Sequence, residues 1–348
     1  MRRIAIAALT LFSLVATAPA AAGETGWRVS RTDGSLGGYQ DVGATGGDDA
    51  WVVRTGQPLL RWNGRAWRNT AGGAAPYLVT AAGRGTAWQF VQSPARVDAR
   101  QLTGGKWYAR PIEAEGAHAT AALATGPAEC WAAGLRLGPR GLRDVVWHWK
   151  GRGWSEVAAP LPITDFAASS PKDVWALSSL GAESPAHAAS VLRLTGSGWR
   201  RSPVPSISLP SRSRVGDAYA ELHDIVALGP DEAYAVGGIS FIIGEERVMR
   251  EALVLRWNGT SWTRLAHRPA GTSYARVAPD GAGGLWLATR RQDLPDVLTH
   301  YQGGRWTRTP VGKVTLNGLA NVPGTRTMWA TAETREAGVT RQLILSYR

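Results

Sequence analysis

One short pattern recurs along this chain of 348 residues: an aromatic residue inside a short apolar run. The spacing between successive copies ranges from 37 residues (Trp51 to Trp88) to 59 residues (Trp175 to Tyr234). The seven marker aromatics are Trp51, Trp88, Trp131, Trp175, Tyr234, Trp286 and Trp329. Self-similarity on this scale indicates a repeat architecture, in which each unit buries its apolar faces only by stacking on its neighbours.

A second motif follows each of the first six markers and is typical of two strands joined by a turn. It is clearest in "LVLRWNGTSWTRL", where Asn258 and Gly259 predict a two-residue type I′ turn. An apolar strand and a tight turn precede each marker, so each unit contains four predicted strands. Four-stranded antiparallel units of about 40 to 50 residues are typical of propeller blades. The sequence therefore predicts an all-β fold: a single seven-bladed β-propeller.

The two ends of the chain each carry part of a seventh copy of the hairpin motif. The last unit stops at "LILSYR", and "GETGWRVSRT" resembles a fourth strand without a blade. Segment 23–35 is therefore predicted to complete the last blade and close the ring. The tryptophans at this fourth-strand position are Trp27, Trp67, Trp107, Trp154, Trp199, Trp262 and Trp306. We interpret both aromatic sets as packing between blades, because large rings fill space that widens outward.

The segments "PKDVWALS", "PDEAYAVGG" and "VLRWNGTSW" resemble the repeats of secreted actinobacterial propeller proteins, which are loosely similar to kelch and galactose-oxidase propellers. The resemblance covers nearly all of the mature chain and implies a kelch-like or galactose oxidase-like fold. It departs from kelch proteins, because a Gly-Gly pair after the second strand occurs only at Gly237-Gly238. The sialidase Asp-box is also missing from the hairpins, so no catalytic residue is implied.

The N-terminus predicts export. Arg2 and Arg3 precede an apolar run and the small residues "TAPAAAG", a pattern typical of a signal peptide over residues 1–22. The propeller would then occupy residues 23–348 of a secreted, extracellular protein. The net charge of +12 becomes +10 without residues 1–22, which hold Arg2 and Arg3 and no acid. This excess of positive charge suits anionic polymers, and export argues against nucleic acid. We expect a monomer without a membrane span.

The variable segments point to one face of the ring. Turns between third and fourth strands are short, whereas segments between second and third strands are long in units three, four, five and seven. Long loops on a rigid scaffold are where binding sites concentrate. The charged residues there include Glu221 and Arg250. The ligand-binding candidates are Arg136, Arg140, Arg143, His187, Arg212, Arg214, Arg247 and Arg290. The alternative is a solvated surface with scattered ion pairs.

Three aspartates share one place in the repeat. Asp41, Asp165 and Asp224 each lie ten residues before a marker, and the other units have Leu78, Ala121, Arg276 and Leu319 at that place. Such acids could bind a metal or act as a catalytic pair, or form a repeated structural hydrogen bond. With His223, they are the weak catalytic candidates. Cys130, the single cysteine, is expected to be a buried apolar residue. No metal and no cofactor are predicted.

These features leave three functional hypotheses. The first is a secreted, non-enzymatic binding module that recognises a cell-wall or extracellular polysaccharide, or a cell-surface protein, through its loop-rich face. The alternative is a carbohydrate-active hydrolase or lyase with a site at the channel mouth, since propellers host such sites. A passive structural protein of the cell envelope is the third. Two carboxylates about 5 to 10 Å apart across a pocket would favour the hydrolase.

Overall fold

The computed structural model describes residues 26–34, 37–70, 75–83, 85–93, 96–178, 189–207, 218–243, 247–291 and 294–348. This part of the chain contains 28 strands and no helix. The strands form seven separate antiparallel sheets of four strands each. The first strand of each sheet contacts the first strands of both neighbouring sheets, and β26 contacts β2, which closes the ring. The predicted seven-bladed β-propeller is confirmed.

The strands are numbered in chain order. β1 (Trp27–Asp33) comes first and belongs to blade seven. Blade one comprises β2 (Tyr39–Gly46), β3 (Asp49–Arg54), β4 (Gln57–Trp62) and β5 (Trp67–Asn69). Blade two comprises β6 (Leu78–Ala81), β7 (Ala87–Gln92), β8 (Val97–Thr103) and β9 (Lys106–Ala109). Blade three comprises β10 (His118–Gly126), β11 (Glu129–Gly138), β12 (Gly141–Lys150) and β13 (Trp154–Val157).

The remaining blades follow the same order. Blade four comprises β14 (Asp165–Ser170), β15 (Asp173–Ser178), β16 (Ser190–Thr195) and β17 (Gly198–Ser202). Blade five comprises β18 (Tyr219–Gly229), β19 (Glu232–Ile243), β20 (Arg247–Trp257) and β21 (Trp262–Arg264). Blade six comprises β22 (Thr272–Pro279), β23 (Leu285–Arg291), β24 (Val297–Gln302) and β25 (Arg305–Pro310). Blade seven comprises β26 (Val314–Asn321), β27 (Met328–Glu336) and β28 (Val339–Tyr347), with β1 outside β28.

The N-terminal strand closes the ring as predicted. β1 pairs antiparallel with β28, and Trp27 lies opposite Tyr347. The Trp27 ring packs edge-on against Trp286 of blade six, with the ring centroids 5.5 Å apart. Arg31 Nη1 donates a hydrogen bond of 3.1 Å to the Trp67 carbonyl oxygen of blade one. One strand therefore connects blade seven to both neighbours.

The two repeated aromatic sets meet at the interfaces between blades. A marker ring packs against the fourth-strand tryptophan of the next blade, as Trp175 does against Trp262 at 5.3 Å and Trp329 against Trp67 at 5.0 Å. Four more interfaces have the same contact: Trp51–Trp107, Trp88–Trp154, Trp131–Trp199 and Trp286–Trp27. Edge-to-face pairs are favourable beyond the area they bury. The predicted packing role of these tryptophans is confirmed.

The acid two residues before the marker has a role that the sequence did not reveal. Arg193, opposite Trp175 on the third strand, lies over that ring at 4.5 Å and forms a 2.9 Å ion pair with Asp173. In blade three, His148 stacks on Trp131 at 3.6 Å and contacts Glu129 at 2.8 Å. The acid thus holds a cationic or polar group over the buried ring, and the "DVW" pattern is structural.

The predicted turn at Asn258-Gly259 is wrong in detail. A type I′ turn needs positive φ at both central residues, but Ala337 is the only described non-glycine residue with positive φ. Trp257 instead pairs with Trp262 across a four-residue loop, and Asn258 Oδ1 accepts hydrogen bonds from the backbone nitrogens of Thr260 and Ser261. Two-glycine turns with positive φ at both positions occur at Gly104-Gly105 and Gly303-Gly304.

The long segments between second and third strands are hairpins and not irregular loops. In blade three, β11 and β12 stay paired up to Gly138 opposite Gly141. In blade seven, β27 and β28 stay paired up to Glu336 opposite Val339. In blade five, β19 and β20 extend beyond the other strands of their sheet. Residues 179–188 of blade four lie outside the described residues.

Candidate functional site

The first strands form the innermost ring. A shift in strand register recurs at one position and sets the direction of the residue that follows it. In five blades the register shifts by one residue just before that side chain, for example between Leu222 and Asp224 and between Tyr274 and Arg276. Bulges of this kind reorient the chain next to functional sites. The residues paired with the position two after the marker are Asp41, Leu78, Ala121, Asp165, Asp224, Arg276 and Gly318.

The equivalent residue in blade seven is Gly318. The spacing had predicted Leu319, which is the next residue along the chain. Trp329 pairs with Ala320, nine residues earlier, whereas Trp286 pairs with Ala278, eight residues earlier. The turn between first and second strands is therefore one residue longer in blade seven. A Cβ atom on Gly318 would lie 2.8 Å from both Cα and Oδ1 of Asp41. Glycine at this position allows Asp41 to pack closely against blade seven.

Asp41, Asp165, Asp224 and Arg276 converge at the centre of the ring. Burial raises the pKa of all three carboxyl groups, and Arg276 opposes this shift at Asp41 and Asp224. The pKa of Asp165 is raised well above its ordinary value, first by burial and then by the nearby Asp224 carboxyl group, with which it forms a hydrogen bond. Two carboxyl groups can share a hydrogen bond only when one of them holds a proton.

The aspartates also stabilise the backbone. Asp224 Oδ1 accepts a hydrogen bond of 2.8 Å from the Ile225 nitrogen, and Oδ2 accepts one of 2.8 Å from the Val277 nitrogen of blade six. Asp41 Oδ1 accepts one of 2.8 Å from the Val42 nitrogen. The structural hydrogen bond considered for this position is thus present at both. Among the described residues, no group of three or more His, Cys, Asp or Glu side chains is placed to hold a metal ion.

A cavity of about 550 Å³ lies at the channel mouth, on the face of the long hairpins. We call it the mouth cavity. Its walls come from blades four, five and six. The lining residues are Thr164, Tyr219, Glu221, Leu222, His223, Gly238, Ser240, Arg250, Ser273, Ala275, Arg276 and Arg290. Two predicted site residues, His223 and Arg290, therefore lie in one cavity, and Arg276 joins it to the group of aspartates.

The predicted residues of the mouth cavity have different partners. His223 Nδ1 donates a hydrogen bond of 2.9 Å to the Tyr274 carbonyl oxygen, which leaves Nε2 3.5 Å from Oε2 of Glu221. Arg290 Nη2 donates a long hydrogen bond of 3.3 Å to the Leu316 carbonyl oxygen. Its Nε atom lies 3.9 Å from Asp296 Oδ2. Arg290 thus keeps donor capacity for a ligand, whereas Nε2 of neutral His223 is an acceptor.

The predicted arginines of blade three lie elsewhere. Arg143 Nη2 is 2.6 Å from Glu156 Oε2, and Arg136 pairs with the other oxygen of Glu156, on the outer strand. Although partial burial opposes it, these two arginines lower the pKa of Glu156. Arg140 is exposed in the turn that joins β11 and β12. None of them lines the mouth cavity.

The other predicted binding residues are not placed by the structure. His187, Arg212 and Arg214 lie outside the described residues. Arg247 begins β20, but its side chain lies outside the described part. Cys130 is a buried free thiol, as predicted.

Three further lining residues, Tyr219, Ser240 and Ser273, were not predicted. The available signal was the pair Gly237-Gly238. A Cβ atom on Gly238 would lie 2.6 Å from the Cβ atom of Ser273 in the next blade, and one on Gly237 would overlap the backbone of β18. The glycine pair therefore marks where blades five and six approach each other beside the cavity.

Comparisons with known proteins support the fold alone. No protein-family model matches the chain, and no curated protein matches it in sequence. YCF48 bound to a D1 peptide is similar at 12% identity and a TM-score of 0.58, over 92% of this chain and 96% of that one. The propeller domain of Cps50 (Swd1) from Myceliophteria thermophila is similar at 12% identity and a TM-score of 0.60, over 93% and 100%.

A third similar structure is an enzyme. The GH74 xyloglucanase of Xanthomonas campestris has 11% identity and a TM-score of 0.60, over 90% of this chain and 54% of that one. None of these three is a kelch or galactose-oxidase propeller, so the expected likeness to that type is replaced by a likeness to YCF48, Swd1 and GH74 propellers. No helix in the described ranges is long and apolar enough to cross a membrane.

Proposed function

We propose that this protein is an exported binding module that takes its ligand into the mouth cavity. The observation that carries the proposal is the cavity itself. Its volume of about 550 Å³ falls within the roughly 300 to 1,000 Å³ of ligand sites. Nine of its twelve lining residues have polar side chains. The ligand is an extracellular polysaccharide or a cell-surface protein. Export rests on the predicted signal peptide, which lies outside the described residues.

The similar structures offer a precedent for binding. YCF48 was solved bound to a D1 peptide, so a propeller of related shape can hold a protein segment. That ligand belongs to YCF48, and at 12% identity its contacts are not transferred to this chain.

The alternative of a glycoside hydrolase has less support. Retaining enzymes need two carboxyl groups about 5 to 5.5 Å apart and inverting enzymes about 6.5 to 9.5 Å apart. Asp165 and Asp224 do not line the mouth cavity, so they do not form such a pair across it. The lining of the mouth cavity contains one carboxylate, Glu221. A lyase, the other enzyme considered from the sequence, is tested by measuring product release in the binding screen.

The test is a binding screen with the purified chain from residue 23 onward. We would measure retention on cell-wall polysaccharides, acidic glycans and cell-surface proteins at two salt concentrations, with product release as a parallel readout. Ser240→Trp fills the cavity, and Ser261→Trp makes the same change in an exposed hairpin turn on the opposite face. We expect retention that Ser240→Trp abolishes and Ser261→Trp preserves. Equal retention by both variants would contradict the proposal, and product release would favour the enzyme.

A further inference from the structure

Three arginines line the mouth cavity, and the lining itself offers little negative charge to compensate them. The Arg250 side chain makes no hydrogen bond or ion pair with another described residue, and the Arg290 side chain has only the long contacts given above. Arg276 donates a 2.9 Å hydrogen bond to the neighbouring Ala275 carbonyl oxygen. The lining contains one carboxylate, Glu221, beside His223. Three guanidinium groups against one carboxylate leave the lining with an excess of two positive charges.

Neutral donors surround these cations. The hydroxyl groups of Tyr219, Ser240 and Ser273 line the cavity and have no hydrogen-bond partner among the described residues. Ser273 is 4% exposed, and its Cβ atom packs closely against Gly238 of the neighbouring blade. Unpaired donors next to a cavity are free to bind a ligand with many oxygen atoms.

We propose that the mouth cavity binds a carboxylate-bearing sugar of an acidic polysaccharide, with the carboxylate between Arg250, Arg276 and Arg290. The proposal rests on the proposed function and specifies its ligand class. A planar guanidinium group can donate two parallel hydrogen bonds to one carboxylate. The hydroxyl groups of the sugar would pair with Tyr219, Ser240 and Ser273.

The lining favours a sugar over a peptide. Leu222 and Ala275 are the only aliphatic side chains in the cavity wall. A peptide segment usually places apolar side chains in apolar pockets, whereas most of the described lining residues have polar side chains. An acidic sugar, in contrast, presents a carboxylate and several hydroxyl groups within the size of one ring. A carboxylate on a peptide is therefore an outcome of the test and not the proposal.

The aspartates behind Arg276 determine whether the affinity for an anion rises or falls with pH. Asp41, Asp165 and Asp224 interact with the Arg276 guanidinium group, but none of them lines the cavity. When they ionise they compete with the ligand for Arg276, and when they are protonated they do not. Glu221, His223 and Asp296 also face this region. We therefore expect anion affinity to rise as the pH falls through the raised pKa values of the channel aspartates.

The test measures binding by calorimetry with a galacturonic acid trimer, its methyl ester and a glutamate-containing tripeptide. Arg250→Gln and Arg290→Gln remove cations from the rim, and Arg276→Gln removes the one at the channel. Arg65→Gln is the matched control, because Arg65 is exposed in a hairpin turn on the opposite face. We expect each cavity variant to lose at least about tenfold in affinity for the acid trimer, with no change for Arg65→Gln.

The outcomes separate the two proposals. If the methyl ester binds as tightly as the acid, the carboxylate assignment is wrong but the binding function stands. If the tripeptide binds more tightly, a protein ligand replaces the polysaccharide. If all three probes fail to bind while the screen finds a ligand that Ser240→Trp excludes, only this inference falls. Should Arg276→Gln fail to fold, unchanged affinity in both rim variants would still overturn the inference.

Discussion

Gly318 shows how the absence of a side chain allows blades one and seven to pack closely at the channel. A methyl group there would lie 2.8 Å from the Asp41 backbone and carboxylate and 2.7 Å from Thr331 Oγ1. Backbone atoms cannot move away at low cost, so blade seven and blade one would have to separate.

We predict that Gly318→Ala lowers the free energy of unfolding by about 1 to 3 kcal/mol, the usual cost of overpacking. Gly43→Ala is the matched control, because Gly43 is also in a first strand and no atom lies within 4 Å of its added Cβ. Urea unfolding of both variants measures the difference. Equal stability of the two variants would show that the channel wall is not tightly packed at Gly318.

Asp165 predicts a pH dependence of stability. Its pKa is raised in the folded protein, so between the unfolded value near 3.8 and the folded value the native state keeps a proton that the unfolded state releases. This group therefore lowers stability as the pH rises through that window. Asn cannot ionise and retains a donor for Asp224, so the stability of Asp165→Asn relative to the natural protein should increase with pH.

Thermal unfolding of the two proteins between pH 4 and 8 measures that difference. Glu156 and Asp280, whose pKa values are lowered in the folded state, act in the opposite sense but are common to both proteins and cancel. Asp41→Asn, at an aspartate that also has a raised pKa, tests whether the effect is shared. A difference that stays constant across the range would mean that Asp165 is ionised in the native state.

For single residues, the sequence predicts a structural role only where the same residue type recurs at the same position in several blades. The inter-blade tryptophans were identified because seven copies agree. The turn at Asn258 was mispredicted because the dipeptide preference considers φ alone, whereas the Asn258 side chain accepts bonds from Thr260 and Ser261 and stabilises a longer loop. The position of Gly318 depends on one extra turn residue, and no spacing rule detects that.

Among the elements, β1 is short but joins blade seven to both of its neighbours. Its seven residues pair with β28, and its side chains contact blades six and one through Trp27 and Arg31. Without β1, the polar backbone of β28 would be an exposed sheet edge, which promotes aggregation.

We predict that a chain starting at residue 34 loses more than about 3 kcal/mol of stability relative to one starting at residue 26, because burial of a single tryptophan contributes that much. The longer chain is the control, since it also lacks the predicted signal peptide but keeps β1. Chemical unfolding and light scattering measure stability and aggregation. A shortened chain that unfolds cooperatively at the same denaturant concentration would show that closure by β1 is dispensable.

The extended hairpins could have been predicted in part. The segment "LRLGPRGLR" alternates apolar and charged residues on both sides of a glycine-proline turn, which is the period of paired strands. Leu137 and Leu142 face each other across the pair and are exposed. Variation in length between units suggested irregular loops, because length alone does not distinguish a loop from a longer hairpin.

On the scale of the whole molecule, ring geometry brings together residues that are far apart in the sequence. The mouth cavity joins Thr164 of blade four to Arg290 of blade six. Of the eight binding residues proposed from the sequence, Arg290 lines this cavity. The sequence could not select it, because the distances between blades depend on glycine contacts such as that of Gly238 with Ser273.

We predict that affinity for the galacturonic acid trimer rises from pH 7.5 to pH 5, since protonation of the channel aspartates frees Arg276. Asp224→Asn should bind more tightly at pH 7.5 and depend less on pH. Arg65→Gln should follow the natural protein, and titration calorimetry at four pH values provides the comparison. Affinity that falls over this range would place the controlling charge elsewhere.

The pairing of Trp27 with Tyr347 also affects the order in which the fold can be completed. During synthesis, β1 is made before the other described strands and its partner β28 after them. The nascent chain therefore waits with β1 unpaired while six blades emerge, and the final contacts span almost the full sequence. Contacts of such long range are slow to form. We therefore expect closure of the ring by β1 and β28 to be a late and slow step of folding.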